Sequence, residues 1–260
     1  MTRVHHLAAR GFGLVGAAYE RGRPSYPQEA IDLLCAELGI GPGRDVLDLA
    51  AGTGKLTRLL VPSGARLVAV EPVAGMRRVL AETLPGVPAL DGAAEALPLA
   101  DASVDAVVVG QAFHWFDGPR ALAEIARVLR PGGGLGLIWN ERDESVGWVA
   151  ELSALLDRHA GDAPRHRQRA WLAAFDGAHG FAPLQERRFA YEQVGTLATM
   201  RDRITSISFI ACLPGPEREA FADQVTALLA AYADPGGRIT MPYHTDVFWA
   251  ANAAQDPPGQ

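Results

Sequence analysis

The sequence predicts an α/β fold: a seven-stranded sheet of five parallel strands plus an antiparallel terminal pair, with helices on both faces and a helical cap. Three observations carry that expectation. Val46-Leu47-Asp48-Leu49 is a short buried-strand pattern that runs into the small-residue turn Ala50-Ala51-Gly52-Thr53-Gly54, and Lys55 to Leu60 then resumes a helical pattern. Residues 66–71 form a second strand-like run, ending in Glu71, 23 positions after Asp48. Apolar runs and amphipathic stretches then alternate as far as residue 139, and the strand-like run 238–250 follows a region of different spacing.

Each element has its own local reason. Residues 1–27 are Gly-rich and dotted with arginine, and the prolines on either side of Tyr26 set an extended entry. Ile31, Leu34, Cys35 and Leu38 share one face of a helix over 28–38, which Gly39 to Gly43 stop. Pro72 to Met76 open a helix running to about Leu84, and 87–90 suits a third, short strand. The fourth, 101–110, is almost continuously apolar and so buried on both faces. It ends in Gln111-Ala112-Phe113-His114-Trp115-Phe116, where open sheets bind ligands. An amphipathic helix over 120–129 and the glycine run 132–134 lead to the fifth strand, 135–139, with Asn140, Glu141 and Arg142 at its open end. Helices are expected at 148–159, 165–175, 192–209 and 217–232, and strands at 184–191 and 238–250, with Pro242 at an irregular point. The chain divides into an N-terminal arm (1–27), a cofactor-binding core (28–141), a completion of the sheet with cap segments (142–255) and a flexible tail (256–260).

The turn at 50–54 leaves no side-chain bulk, so a ligand can approach the backbone while the first amides of the helix face polar or anionic groups. An acid at Glu71 can accept hydrogen bonds from both hydroxyls of a ribose. Together the two stretches imply a nucleoside cofactor. A dinucleotide fingerprint would need a third glycine, and Thr57 stands in its place. A phosphate loop fails as well, because Leu49 sits five before Gly54 and Leu56 follows Lys55.

At this point the chain resembles the class I S-adenosylmethionine-dependent methyltransferases, with their Rossmann-like fold and first motif D-x-G-x-G-x-G. Asp48, Gly52 and Gly54 match that motif, and Ala50 replaces its first glycine. Arg23-Pro24-Ser25-Tyr26-Pro27 is similar to a family stretch that helps to cover the cofactor, and Leu129-Arg130-Pro131-Gly132-Gly133-Gly134-Leu135 is a further family-like signal. Thr240-Met241-Pro242-Tyr243 resembles the closing segment of the subgroup near trans-aconitate methyltransferases. The resemblance implies S-adenosyl-L-methionine as cofactor. It places Tyr26, Asp48, Ala50, Gly52, Gly54, Glu71, Pro72, Met76 and Gln111 around it, with Gly92, Ala93 and Ala94 forming the adenine-binding turn. Ala93 occupies that turn's usual polar position, which shifts the reading of the base to backbone amides.

Methyl transfer holds a nucleophile in line behind the sulfonium methyl and excludes water. Tyr19, Tyr26, Phe113, His114, Trp115, Trp139 and Tyr243 are the candidates to line such a cavity. His114, Tyr19 and Tyr243 stand as catalytic candidates, and Trp115, Trp139, Asn140 and Arg142 as acceptor contacts. Among the lining residues only His114 accepts a proton near neutral pH; it reads either as a general base or as a structural histidine bonded to backbone. The acceptor is a small molecule, with a carboxylate or a natural-product intermediate among the classes considered. The carboxylate is favoured only by the trans-aconitate resemblance. A dehydrogenase, a non-methylating S-adenosylmethionine enzyme and a non-catalytic cofactor-binding protein remain as other readings.

Composition bounds the rest. With 48% hydrophobic and 21% charged residues, 260 residues can bury one sizeable core or a core plus a small cap. A net charge of -6 gives no reason to expect nucleic acid. No run is long and apolar enough for a membrane span, so no membrane partner is expected, and the oligomer is read as a monomer or homodimer. Cys35 and Cys212 lack any C-x-x-C context, which points to a reducing, cytoplasmic compartment. His5-His6 has no H-E-x-x-H partner and no serine lies in G-x-S-x-G, so no metal site and no serine nucleophile is expected.

Overall fold

The computed structural model describes residues 24–161, 166–177 and 180–253. Tyr19, most of the arm and the tail 256–260 lie outside them. A seven-stranded sheet orders its strands β3-β2-β1-β4-β5-β7-β6. In chain order these are β1 (Asp45–Leu49), β2 (Arg66–Val70), β3 (Ala89–Leu90), β4 (Val104–Gly110), β5 (Leu129–Arg142), β6 (Gln185–Thr196) and β7 (Arg238–Ala251). The first five run parallel, and β7 pairs antiparallel with both β5 and β6. The direction of strand order reverses between β1 and β4, and ligands of open α/β sheets bind in the crevice outside the carboxyl ends at such a point.

Helix α1 (Gln28–Glu37) precedes β1, while α2 (Lys55–Leu60), α3 (Ala74–Thr83) and α4 (Gly118–Val128) lie between successive parallel strands. One apolar cluster joins Leu47, Val107, Leu137, Leu122 and Ile125 to Trp139 and Phe248 on one face of the sheet. A second packs Ile31, Leu34, Leu56 and Leu60 against Val46, Val108 and Ile138 on the other. A third is built from α5 (Gly147–Asp157), α6 (Leu197–Thr205), α7 (Ser208–Ala211) and α8 (Gly215–Ala230), closing Leu152, Ile204, Phe221 and Leu229 over Met241 and Tyr243.

Three expectations are corrected. The segment 165–175 is not one α-helix but two 3-10 turns, His166–Gln168 and Ala170–Phe175, with Arg169 left-handed between them (φ 54°). β6 runs on to Thr196, and the helix starts only at Leu197, where the Thr196 hydroxyl accepts from the Thr199 amide at 3.2 Å. Its alternating exposure, not its composition, marks it as strand. β5 begins at Leu129, because the register against β4 shifts between Val104 and Ala106 and absorbs the proline-glycine run. Gly133 is required there: a Cβ would stand 2.5 Å from the carbonyl oxygen of Asp105. Pro242 pairs with Glu192 of β6 beyond the last β5 partner, so its missing N–H breaks no β5 ladder bond.

Among the described residues no helix is long and apolar enough to cross a membrane. Cys35 and Cys212 are free thiols. No group of three or more His, Cys, Asp or Glu side chains among the described residues is arranged to hold a metal ion.

Candidate functional site at the strand-order reversal

A cleft with about 550 Å³ of empty space, open to solvent, lies at the carboxyl ends of β1 and β4. Tyr26, Asp48, Ala50, Gly52 and Gln111 line it, with Pro24, Ala51, Thr53, Lys55, Leu56, Gly110 and Arg203. The loop after β1 is left-handed at Ala50 (φ 56°), Gly52 (φ 59°) and Gly54 (φ 84°), and Gln111 at the tip of β4 is left-handed too (φ 59°). Ala50 and Gln111 carry a Cβ that disfavours this geometry, so the strands that flank the crevice both end in strained backbone. Tyr26 packs close over β4, since a Cβ on Gly110 would stand 2.9 Å from its hydroxyl oxygen.

Asp48 is fully buried at the cleft wall. Its Oδ2 accepts from the Thr57 hydroxyl at 2.5 Å, while Oδ1 has no hydrogen-bond partner. Thr57 therefore has a function that sequence reasoning missed, although it is the residue found where a third glycine would stand. Burial pushes the Asp48 carboxyl up to about 7, against the lowering effect of Thr57 and with a smaller push from Glu71. The fold thus takes up a proton at Asp48 between about pH 4 and 7. Stability from this group is full below that window and is lost as pH rises through it, by on the order of a few kcal/mol. Urea unfolding at pH 5 and pH 8 is expected to show a larger fall for the wild type than for Asp48→Asn. An equal fall in both proteins would mean that Asp48 is already ionised in the fold at pH 5.

Glu71, 5% exposed, closes the β2 side. Its Oε2 accepts from the Gly52 amide at 2.9 Å and its Oε1 from the Val73 amide at 2.8 Å. Each oxygen keeps a second lone pair for a ligand hydroxyl. Burial raises its pKa while both amides oppose that rise. Pro72 follows directly, and Met76 in the first turn of α3 backs the loop, its sulfur 3.8 Å from where a Cβ on Gly52 would sit. Gly54 caps α2 against Leu80 and Leu84. Arg77 ties the β2 tip to the next turn: its Nη1 donates to the Glu71 carbonyl at 2.7 Å and to Asp91 at 2.9 Å. That turn, with Gly92, Ala93 and Ala94, is held by an Ala93–Ala96 bridge, and Val70 and Pro98 pack on Gly92.

Other expected site residues do not line the cleft themselves. Asn140 is used within the protein, its Nδ2 donating to the Ser25 carbonyl at 2.7 Å and its Oδ1 accepting from Thr245 at 2.6 Å. It thereby ties the segment that carries Tyr26 to β5 and β7. Trp139 is fully buried in an aromatic stack, 4.1 Å from the ring of His166 and 4.8 Å from that of Trp171. Its Nε1 donates to His114 Nδ1 at 3.2 Å. His114 opens on a separate apolar groove with Phe113, Phe116, Pro119 and Trp171, and Trp115 lies beside it at 5.2 Å. Tyr243 is 2% exposed within the third apolar cluster, its hydroxyl 3.5 Å from Gln193 Oε1. Arg142 donates through Nε to Ser153 at 3.2 Å beneath the helices that follow β5. Arg203, on α6, reaches the cleft from those same helices.

A family model described as a methyltransferase domain matches residues 47–137. The chain is 46% identical over 248 residues to an uncharacterised methyltransferase of Mycobacterium tuberculosis, covering 94% of this chain and 97% of that protein. It is 40% identical to an uncharacterised methyltransferase-like protein of Schizosaccharomyces pombe over 78% of this chain and 79% of that one. Among solved structures, a candidate type II methyltransferase from Anaeromyxobacter dehalogenans shares the fold with a TM-score of 0.64 at 24% identity, covering 88% of this chain and 97% of that one.

Proposed function

The chain belongs to the class I S-adenosylmethionine-dependent methyltransferases, and from that premise we propose that it moves a methyl group from S-adenosylmethionine to a small-molecule acceptor. The observation that carries this reading is the open wall formed by Asp48 and the loop 50–53, with Glu71 bonded to its Gly52 amide. The residues fit the cofactor: Glu71 can take ribose hydroxyls, and the unpartnered Asp48 Oδ1 can take the ammonium of the methionine moiety. The cofactor, when bound, supplies an electrophilic methyl carbon on a sulfonium. The protein's part is to bind, orient and exclude water. Tyr26, held over β4 by the Asn140–Ser25 bond, is suited to cover the methyl end. A carboxylate remains among the acceptor classes, and the cytoplasm is the proposed site of action. Calorimetric titration with S-adenosylmethionine and with NAD tests the cofactor. Heat from NAD alone would overturn the reading.

For His114 the geometry favours positioning over base catalysis. An indole N–H is only a donor, so Nδ1 must accept, and the neutral ring carries its proton on Nε2. Proton uptake at Nδ1 would break the bond to Trp139. His114→Gln is therefore expected to lower turnover less than about tenfold, where loss of a general base would cost about 10²–10⁴-fold. Mass-spectrometric detection of labelled product from methyl-labelled cofactor and candidate metabolites provides the assay. A loss in the larger range would reassign His114 as the base. Adenosyl release without labelled product would instead favour the non-methylating reading.

A further inference from the structure

Arg203 stands on α6, 5% exposed, and its side chain lines the cleft beside the loop after β1. Its Nε and Nη1 are buried without any hydrogen-bond partner. It forms no ion pair among the described residues. A desolvated guanidinium with no counter-charge is costly, and a fold retains one where something outside the chain completes it. Arg142, at the end of β5, is a second guanidinium close by. Burial lowers its pKa and the charge of Arg203 adds to that fall, while Tyr243 and the carboxylates of Glu141 and Glu144 oppose it. Arg142 forms no close ion pair with an acid of the described residues, and its Nε donates to the Ser153 hydroxyl at 3.2 Å. Two neighbouring guanidiniums, one of them aimed into a ligand cleft, suit the planar two-oxygen geometry of a carboxylate.

We propose that Arg203, flanked by Arg142, is a carboxylate-binding site in the roof of the cleft. It rests on the methyl-transfer reading only in the source of its ligand, which is either the acceptor or the methionine moiety of the cofactor. Two pairs of probes separate these. S-adenosylmethionine and its decarboxylated form differ only in the cofactor carboxylate. Succinate and succinamide, titrated with S-adenosylhomocysteine present, differ in the charge and in one acceptor oxygen at each acceptor-like carboxyl. The wild type is expected to prefer the carboxylate member of at least one pair by about tenfold to a hundredfold. Arg203→Gln should abolish that preference, Arg203→Lys should retain part of it, and the unliganded Arg203→Gln protein should melt no lower than the wild type. Loss confined to the first pair assigns the cofactor carboxylate, and loss in the second assigns the acceptor.

A wild type that distinguishes neither pair, or an Arg203→Gln protein that keeps the preference, overturns the site. Failure of both variants to fold also overturns it, because the cation would then be satisfied by the protein itself. Binding of succinate with no binding of either cofactor form would leave the carboxylate site standing and sink the methyl-transfer reading alone.

Discussion

Replacing Trp139 by alanine is expected to remove about 3–5 kcal/mol of folding stability, the usual range for emptying a buried tryptophan site. The ring is fully buried, stacks on His166, and meets Trp171 and Phe248 within 6 Å. Its loss opens a void at the junction of β5, β7 and the two 3-10 turns, and little there can collapse because the neighbours are themselves large rings. Urea unfolding at constant pH measures the effect through the midpoint and slope. Trp139→Phe serves as the contrast: it keeps most of the volume and deletes the Nε1 bond to His114, so its cost should stay well below that of alanine. A loss under about 1 kcal/mol for alanine would show that the ring is not a core element.

Glu71→Gln is expected to weaken cofactor binding by about 1–3 kcal/mol, roughly five- to 150-fold in the dissociation constant. Both carboxylate oxygens accept backbone amides, from Gly52 and Val73. An amide side chain has one acceptor oxygen and one donor nitrogen, so it must turn a donor towards one of those N–H groups. The loop after β1 then loosens at the same moment that a ribose contact is weakened. Calorimetry with S-adenosylhomocysteine measures the affinity, and a thermal melt of the unliganded protein separates the loop effect. An unchanged dissociation constant would leave Glu71 with no role beyond tying β2 to the loop.

The loop side of the cleft was legible in the sequence because it depends on neighbours along the chain. Asp48, Gly52 and Gly54 fall within one strand–turn–helix, and Glu71 ends the very next strand, so short spacing and small side chains were enough to bring them together. Thr57 showed only as a departure from a glycine pattern, and its bond to Asp48 became visible only once α2 was packed on β1. The environments of the residues named as acceptor contacts were less legible. Trp139, Asn140 and Tyr243 have residue types that suit a ligand, yet their environments use them for packing and for bonds within the protein. His114 reads as a proton acceptor by type, while its proton is fixed by a tryptophan 25 positions away.

By itself the sequence determined five parallel strands with an antiparallel terminal pair, the open loop after β1 and the acid at the tip of β2. These follow from hydrophobic period, glycine placement and connection length, which act locally. The tertiary structure alone decided three things: that Asn140 clamps Ser25, that Asp48 keeps one bare oxygen, and that Arg203 crosses from α6 into the cleft with no acid among the described residues to meet it. The physical reason is shared. Burial and pairing are properties of a point in space, and residues 155 positions apart, such as Asp48 and Arg203, acquire a common environment only when the sheet and its covering helices bring them to one wall.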